Sequence, residues 1–122
     1  MQLWHNPRCS KSRAAKQLVD EHGVPYVERR YVDEPPTAAE LDAVLTALGR
    51  QPWEIARLSE PVAHSLGLAE WPHDRDRWIA AMVEHPILIE RPILIADDGR
   101  AVLGRPPEAV LDLLSGDRTA TM

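Results

Sequence analysis

The sequence predicts an α/β fold in which a small mixed sheet is flanked by helices, and three observations lead there. The stretch from Gln2 to Val32 reads strand, helix, strand, a βαβ-sized unit. From Thr37 to about His85 the apolar spacing is helical. From Ile93 the texture turns to β-branched and aliphatic runs on either side of an Asp-Gly turn.

Each element has its own signal. Gln2-Leu3-Trp4-His5 reads as a strand closed by the turn dipeptide Asn6-Pro7. From Ser10, the residues Ala14, Ala15, Leu18 and Val19 fall on one helical face, and Gly23 ends the run ahead of Pro25. Tyr26-Val27 and Tyr31-Val32 read as a second strand, which Glu28-Arg29-Arg30 makes polar and edge-like. After Pro35-Pro36, Thr37-Ala38-Ala39-Glu40 is a capping box. Leu41, Val44, Leu45 and Leu48 continue at helical spacing to Gly49, placed for a left-handed cap. Further helical pieces are predicted around Trp53 to Leu58 and from Asp74 to Val83, the latter with Trp78, Ile79 and Met82 inward.

Ile93-Leu94-Ile95, the turn Asp97-Asp98-Gly99 and Ala101-Val102-Leu103 read as an antiparallel hairpin. Pro106-Pro107 suits a helix start, with Val110, Leu111 and Leu114 as its buried face before Gly116. The first two strands, joined through a helix, should be parallel, and the hairpin adds antiparallel strands to make four. The order β-α-β, helical insert, β-β-α is the thioredoxin-like order. A single domain over 1–116 is expected, with the insertion at about 37–85, followed by a frayed tail over 117–122.

Composition excludes several function classes. Fourteen Lys+Arg against nineteen Asp+Glu give a net charge of -5, so no nucleic-acid partner is expected. No apolar run reaches the ~18 residues of a membrane span and Met1 to His5 does not resemble a signal peptide, so the expected location is the cytoplasm, without membrane association. His5, His22, His64, His73 and His85 show no paired ligand spacing, so no metal is expected.

The single cysteine, Cys9, cannot form an intrachain disulfide and matters by reactivity or by burial. It lies where the first strand turns into the first helix, so its sulfur should face the free N–H groups and positive dipole end of that helix, both of which favour thiolate. Arg8, Lys11 and Arg13 add positive charge, His5 is close enough to fold back, and Asn6, Ser10 and Ser12 offer hydrogen bonds to a thiolate or a bound oxyanion. Burial as a small hydrophobe does not call for such polar surroundings. Cys9-Ser10-Lys11-Ser12 is Cys-x-x-Ser, so turnover would need a thiol from another molecule. Arg57, Arg91 and Arg105 form a second group, two of them fixed ahead of prolines. Singly, each suits a solvated surface or a carboxylate partner, and spacing leaves their convergence on Cys9 open.

Four separated motifs stand out: His5-Asn6-Pro7-Arg8-Cys9-Ser10-Lys11-Ser12-Arg13, Glu34-Pro35-Pro36-Thr37, His85-Pro86-Ile87-Leu88-Ile89-Glu90-Arg91-Pro92 and Gly104-Arg105-Pro106-Pro107-Glu108. Together they resemble the glutaredoxin-coupled arsenate reductases of the ArsC type over about Leu3 to Leu114. The resemblance implies a thioredoxin-like fold with a helical insertion and reduction of arsenate to arsenite, an arsenic detoxification activity. It implies Cys9 as the nucleophile that forms a thiol-arsenate adduct, Arg57, Arg91 and Arg105 as holders of the oxyanion, His5 as support for the thiolate, and Pro92 as a cis proline. Ser12 is added as a substrate-binding candidate. Glutathione and glutaredoxin would be external reductants, with no bound cofactor, and a monomer is expected.

Two other readings remain. A regulator of the Spx type shares this fold and binds RNA polymerase, but commonly carries Cys-x-x-Cys at the turn and needs no arginine trio. A monothiol disulfide-exchange protein would need Cys9 alone.

Overall fold

The structure, a computed structural model, describes residues 1–114. The described chain forms two compact units, one of residues 1–31 and 91–114 and one of Val32–Glu90.

The first unit holds β1 (Gln2–Trp4), α1 (Ser10–Glu21), β2 (Val27–Arg29), β3 (Ile93–Ile95) and β4 (Ala101–Leu103). The sheet order is β2-β1-β3-β4. β1 pairs parallel with β2 and antiparallel with β3, and β3 pairs antiparallel with β4, as the crossover and hairpin require. This mixed four-stranded sheet with flanking helices is the thioredoxin-like arrangement.

Leu3 and Leu94 are opposite each other in register and fully buried. With Ala15 and Val19 of α1, and with Val110, Leu113 and Leu114, they make one apolar cluster. By strand alternation Trp4 and Ile93 point to the other face. A 3-10 turn over Pro107–Ala109 leads into helix at 110–114, where Pro106-Pro107 predicts one. The expected frayed tail lies outside the described residues.

Two expectations for this unit are corrected. Ala14 is exposed on α1, and its inward neighbour is Ser12, fully buried. The second strand ends at Arg29, because its partner β1 is only three residues long. Tyr31 leaves the sheet and is buried instead, its ring 6.3 Å from that of Trp4, while Val32 lies exposed in a turn.

The second unit is helical. α2 (Ala38–Leu48) starts at the Thr37–Glu40 capping box and ends at Gly49, whose φ of 67° is the left-handed cap. α3 (Pro61–Leu66) was not anticipated, although Pro61 at its first position and left-handed Gly67 after its end are ordinary start and stop signals. α4 (Arg75–Glu84) is capped by Asp74 and buries Trp78, Ile79 and Met82. The helix expected around Trp53 to Leu58 is a single 3-10 turn, Pro52–Glu54. Beyond it the chain extends: Ala56 bridges Ile89, Glu90 N–H donates to Ile55 O at 3.0 Å and Arg57 N–H to Leu88 O at 2.8 Å. These ladder bonds replace those a longer helix would make. No helix among the described residues is long and apolar enough to cross a membrane.

Gly104 is required by a close approach. A Cβ there would lie 2.7 Å from Pro92 Cγ and 3.2 Å from Val110 Cγ1, and its N–H donates to Pro92 O at 2.8 Å. Neither the proline ring nor the backbone can withdraw. Gly104→Ala should therefore lower stability by ~1–3 kcal/mol, the range of overpacked sites, read as a fall in the urea midpoint at unchanged slope.

Candidate active site

Cys9 is the N-cap of α1, with extended backbone (φ -95°, ψ 124°) and no side-chain capping bond. The first turn of α1 contains no acidic residue, so its positive end meets no competing carboxylate. The loop before it is closed by short bonds: Cys9 N–H donates to Asn6 O at 3.0 Å, and Arg8 N–H to Asn6 Oδ1 at 3.0 Å. The sulfur is half-buried. Burial alone pushes the Cys9 thiol up, but the nearby Ser12 and Lys11 N–H groups at the helix start and the positively charged Arg91 guanidinium outweigh it, and the thiol sits below its ordinary value.

Ser12 acts in two directions. Its N–H lies near the Cys9 sulfur at the helix start, while its hydroxyl turns inward, 2.7 Å from His5 Nδ1, and accepts Asn6 N–H at 3.1 Å. The candidate that looked like a substrate contact thus has its hydroxyl engaged in the interior.

His5 follows Leu3 by two residues on the same side of the chain, the side that α1 covers, and is 2% exposed. Burial lowers its pKa below 6.5, against the opposing pull of Glu28. The ring is therefore neutral at pH 7. Nε2 faces Glu28 Oε1 at 3.9 Å, and a bare lone pair there would meet a carboxylate. Protons are assigned accordingly: Nε2 carries hydrogen, and the Ser12 O–H donates to Nδ1.

The arginines divide between the units. Arg91, 7% exposed, joins Cys9 from the corner before β3, and its peptide bond to Pro92 is cis. Arg105 precedes a second cis proline, Pro106, and its Nη1 donates to the Arg91 carbonyl at 3.2 Å. Arg57 belongs to the helical unit, where Nη1 lies 2.6 Å from Glu90 Oε1 and Nε 3.2 Å from Glu60 Oε1. Arg8 and Lys11 are exposed, and Arg13 donates to Pro7 O at 2.9 Å. Among the described residues no group of three or more His, Cys, Asp or Glu could hold a metal ion.

Sequence reasoning missed Glu28. It was read only as edge-strand polarity, and its place beside His5 follows from the Leu3–Glu28 register of the parallel pair. A two-residue alternation carried across a known register would have found it.

The sequence model of the ArsC family matches residues 4–113. The chain belongs to the ArsC family. This ArsC-family chain is 52% identical over 118 residues to an uncharacterized protein in the glnII region of Streptomyces viridochromogenes, covering 94% of this chain and 99% of that one. It is 39% identical over 111 residues to an arsenate reductase of Neisseria meningitidis serogroup A, covering 90% and 94%. The solved structure of an arsenate reductase from Vibrio cholerae superposes with a TM-score of 0.85 at 37% identity, covering 92% of this chain and 97% of that one.

A lowered thiol pKa keeps Cys9 ionised, and so nucleophilic, at pH values where an ordinary thiol is protonated. Iodoacetamide alkylation of the folded ArsC chain should show a midpoint at lower pH than the same chain unfolded in urea. Arg91→Ala should move the midpoint up, because a bond and a positive charge leave the thiolate together.

Proposed function

We propose that the chain reduces arsenate to arsenite through Cys9, as a cytoplasmic monomer, with glutathione and glutaredoxin as external reductants. The observation that carries this reading is a thiol at the N-cap of α1 beside a buried guanidinium and held below its ordinary pKa, with no second cysteine in the chain. Family membership and the arsenate reductases among its relatives support the choice of oxyanion.

In the proposed reaction the Cys9 thiolate attacks arsenic(V), and an oxygen leaves as water. Arg91 bonds the sulfur and is placed to receive oxyanion charge as it develops, while Arg105 braces the Arg91 carbonyl and supplies further positive charge. Arg57 is proposed as the third holder, its carboxylate partners Glu60 and Glu90 keeping the guanidinium oriented until an anion competes for it. Ser12 serves substrate binding through its N–H at the helix start, and His5 supports that position from the interior.

Glutathione then condenses with arsenic, releasing a second water. A glutaredoxin thiolate takes the glutathione sulfur as a mixed disulfide, and the electron pair of the broken arsenic–sulfur bond stays on arsenic, giving arsenic(III) on Cys9. Hydrolysis releases arsenite and the free thiol. Cys-x-x-Ser fits this sequence, since no step calls for a second thiol of the same chain.

With glutathione, glutaredoxin, glutathione reductase and NADPH, arsenate should drive NADPH consumption. Cys9→Ser should abolish it. Arg91→Ala should lower kcat/KM by roughly 10²-fold or more, the scale of a lost charged oxyanion contact. Arsenate-independent disulfide exchange that survives Arg91→Ala, with no arsenate reduction by wild type, would replace this reading with the monothiol-exchange one.

A further inference from the structure

Three side chains stand in line behind Cys9. Ser12, in the helical turn that Cys9 caps, shares its buried hydroxyl with His5 Nδ1, and on the far side of the ring His5 Nε2 faces Glu28 Oε1. Glu28 is held in turn, its Oε1 3.9 Å from Lys16 Nζ and its Oε2 3.2 Å from Arg30 Nε. Lys16 is anchored by Asp20 at 3.0 Å and by the Tyr26 hydroxyl at 2.9 Å. The charges acting on His5 are thus Glu28 from β2, Arg30 just after it, and Lys16 and Arg13 from α1.

We propose that Glu28 is a positioning residue for the Cys9 thiol: its carboxylate fixes His5 as the Nε2–H tautomer, and His5 then holds the Ser12 hydroxyl inward, which fixes the first turn of α1 next to the sulfur. The other tautomer would present Nδ1–H to Ser12 Oγ, which already accepts Asn6 N–H. The hydroxyl proton would then have to leave the ring and find another acceptor at a fully buried position. Glu28 removes that alternative by placing an acceptor oxygen on the side where Nε2 must carry a proton, just as a carboxylate commonly sets the tautomer of a functional histidine. The Ser12 side chain and its N–H belong to one residue of the first helical turn. A hydroxyl locked inward therefore locks the peptide that meets the sulfur.

The test reads tautomer and thiol separately. In ¹⁵N-labelled chain, the His5 ring-nitrogen shifts report the tautomer, and iodoacetamide alkylation at pH 7 reports Cys9. Wild type should show Nε2–H. Glu28→Leu should mix the tautomers and slow alkylation roughly fivefold, the size of one net hydrogen bond. Glu28→Gln, whose amide oxygen can still face Nε2–H, should restore both. In a Ser12→Ala background, Glu28→Leu should slow alkylation no further, because the path runs through the hydroxyl. A Glu28→Leu chain with the wild-type tautomer and rate overturns the proposal. So does a Glu28→Gln chain as slow as Glu28→Leu, which would make the charge and not the tautomer the agent. The inference rests on Cys9 being the reactive thiol, not on arsenate. Folded wild type that alkylates no faster than the urea-unfolded chain overturns both readings, whereas an unshifted tautomer in Glu28→Leu overturns this one alone.

Discussion

A sulfur that is to carry negative charge in a half-buried position must find donors that do not move, and here they come from the start of α1. The N–H groups of Lys11 and Ser12 have no partner inside their own helix, and the strand-to-helix turn brings Cys9 round to meet them. Hydrogen bonds to charged groups stabilise by about 1.5–3 kcal/mol, enough for a few of them to overturn the burial penalty. Much of the first unit serves this contact. The Leu3–Leu94 pair seats β1, the Ala15 and Val19 face seats α1 against it, and Asn6 closes the short loop between them.

Charge is distributed unevenly for the same reason. The chain carries a net -5, yet the thiol's charged neighbour is a buried guanidinium. Such a group is tolerated at depth because it is hydrogen-bonded, and the corners that hold Arg91 and Arg105 are packed to match. Gly104 lets the β4 end close on the Pro92 ring, and Arg105 reaches across to the Arg91 carbonyl. In the helical unit the opposite holds: Arg57 sits between two carboxylates, its charge balanced locally. The same residue type is thus held by three different kinds of contact.

What could be read from the sequence follows the range of the forces involved. The Thr37 capping box, left-handed Gly49, the Ile93–Leu103 hairpin and the extent of α1 depend on neighbours a few residues away, and all are where local patterns place them. The misreadings occur where a distant partner decides. Tyr31 has strand propensity but finds Trp4, and the segment after Trp53 has helical spacing but pairs with Ile89. At the site, Cys9, His5 and Arg91 could be named from motifs because their chemistry is specific to residue type. The direction of the Ser12 hydroxyl was not legible, since inward and outward hydroxyls look alike in a sequence. Nor was Glu28, whose meaning lies in a pairing register.

With one cysteine in 122 residues, Cys9 has no partner thiol in its own chain with which to store an oxidised state. Whatever bonds to that sulfur leaves only when another molecule arrives. Where the bonded group is itself a thiol, recovery of the free Cys9 is therefore second order: it scales with the supply of outside thiol, and no adjustment of the fold can make it unimolecular. With no second cysteine, the chain has nowhere among its own residues to hold a disulfide between encounters.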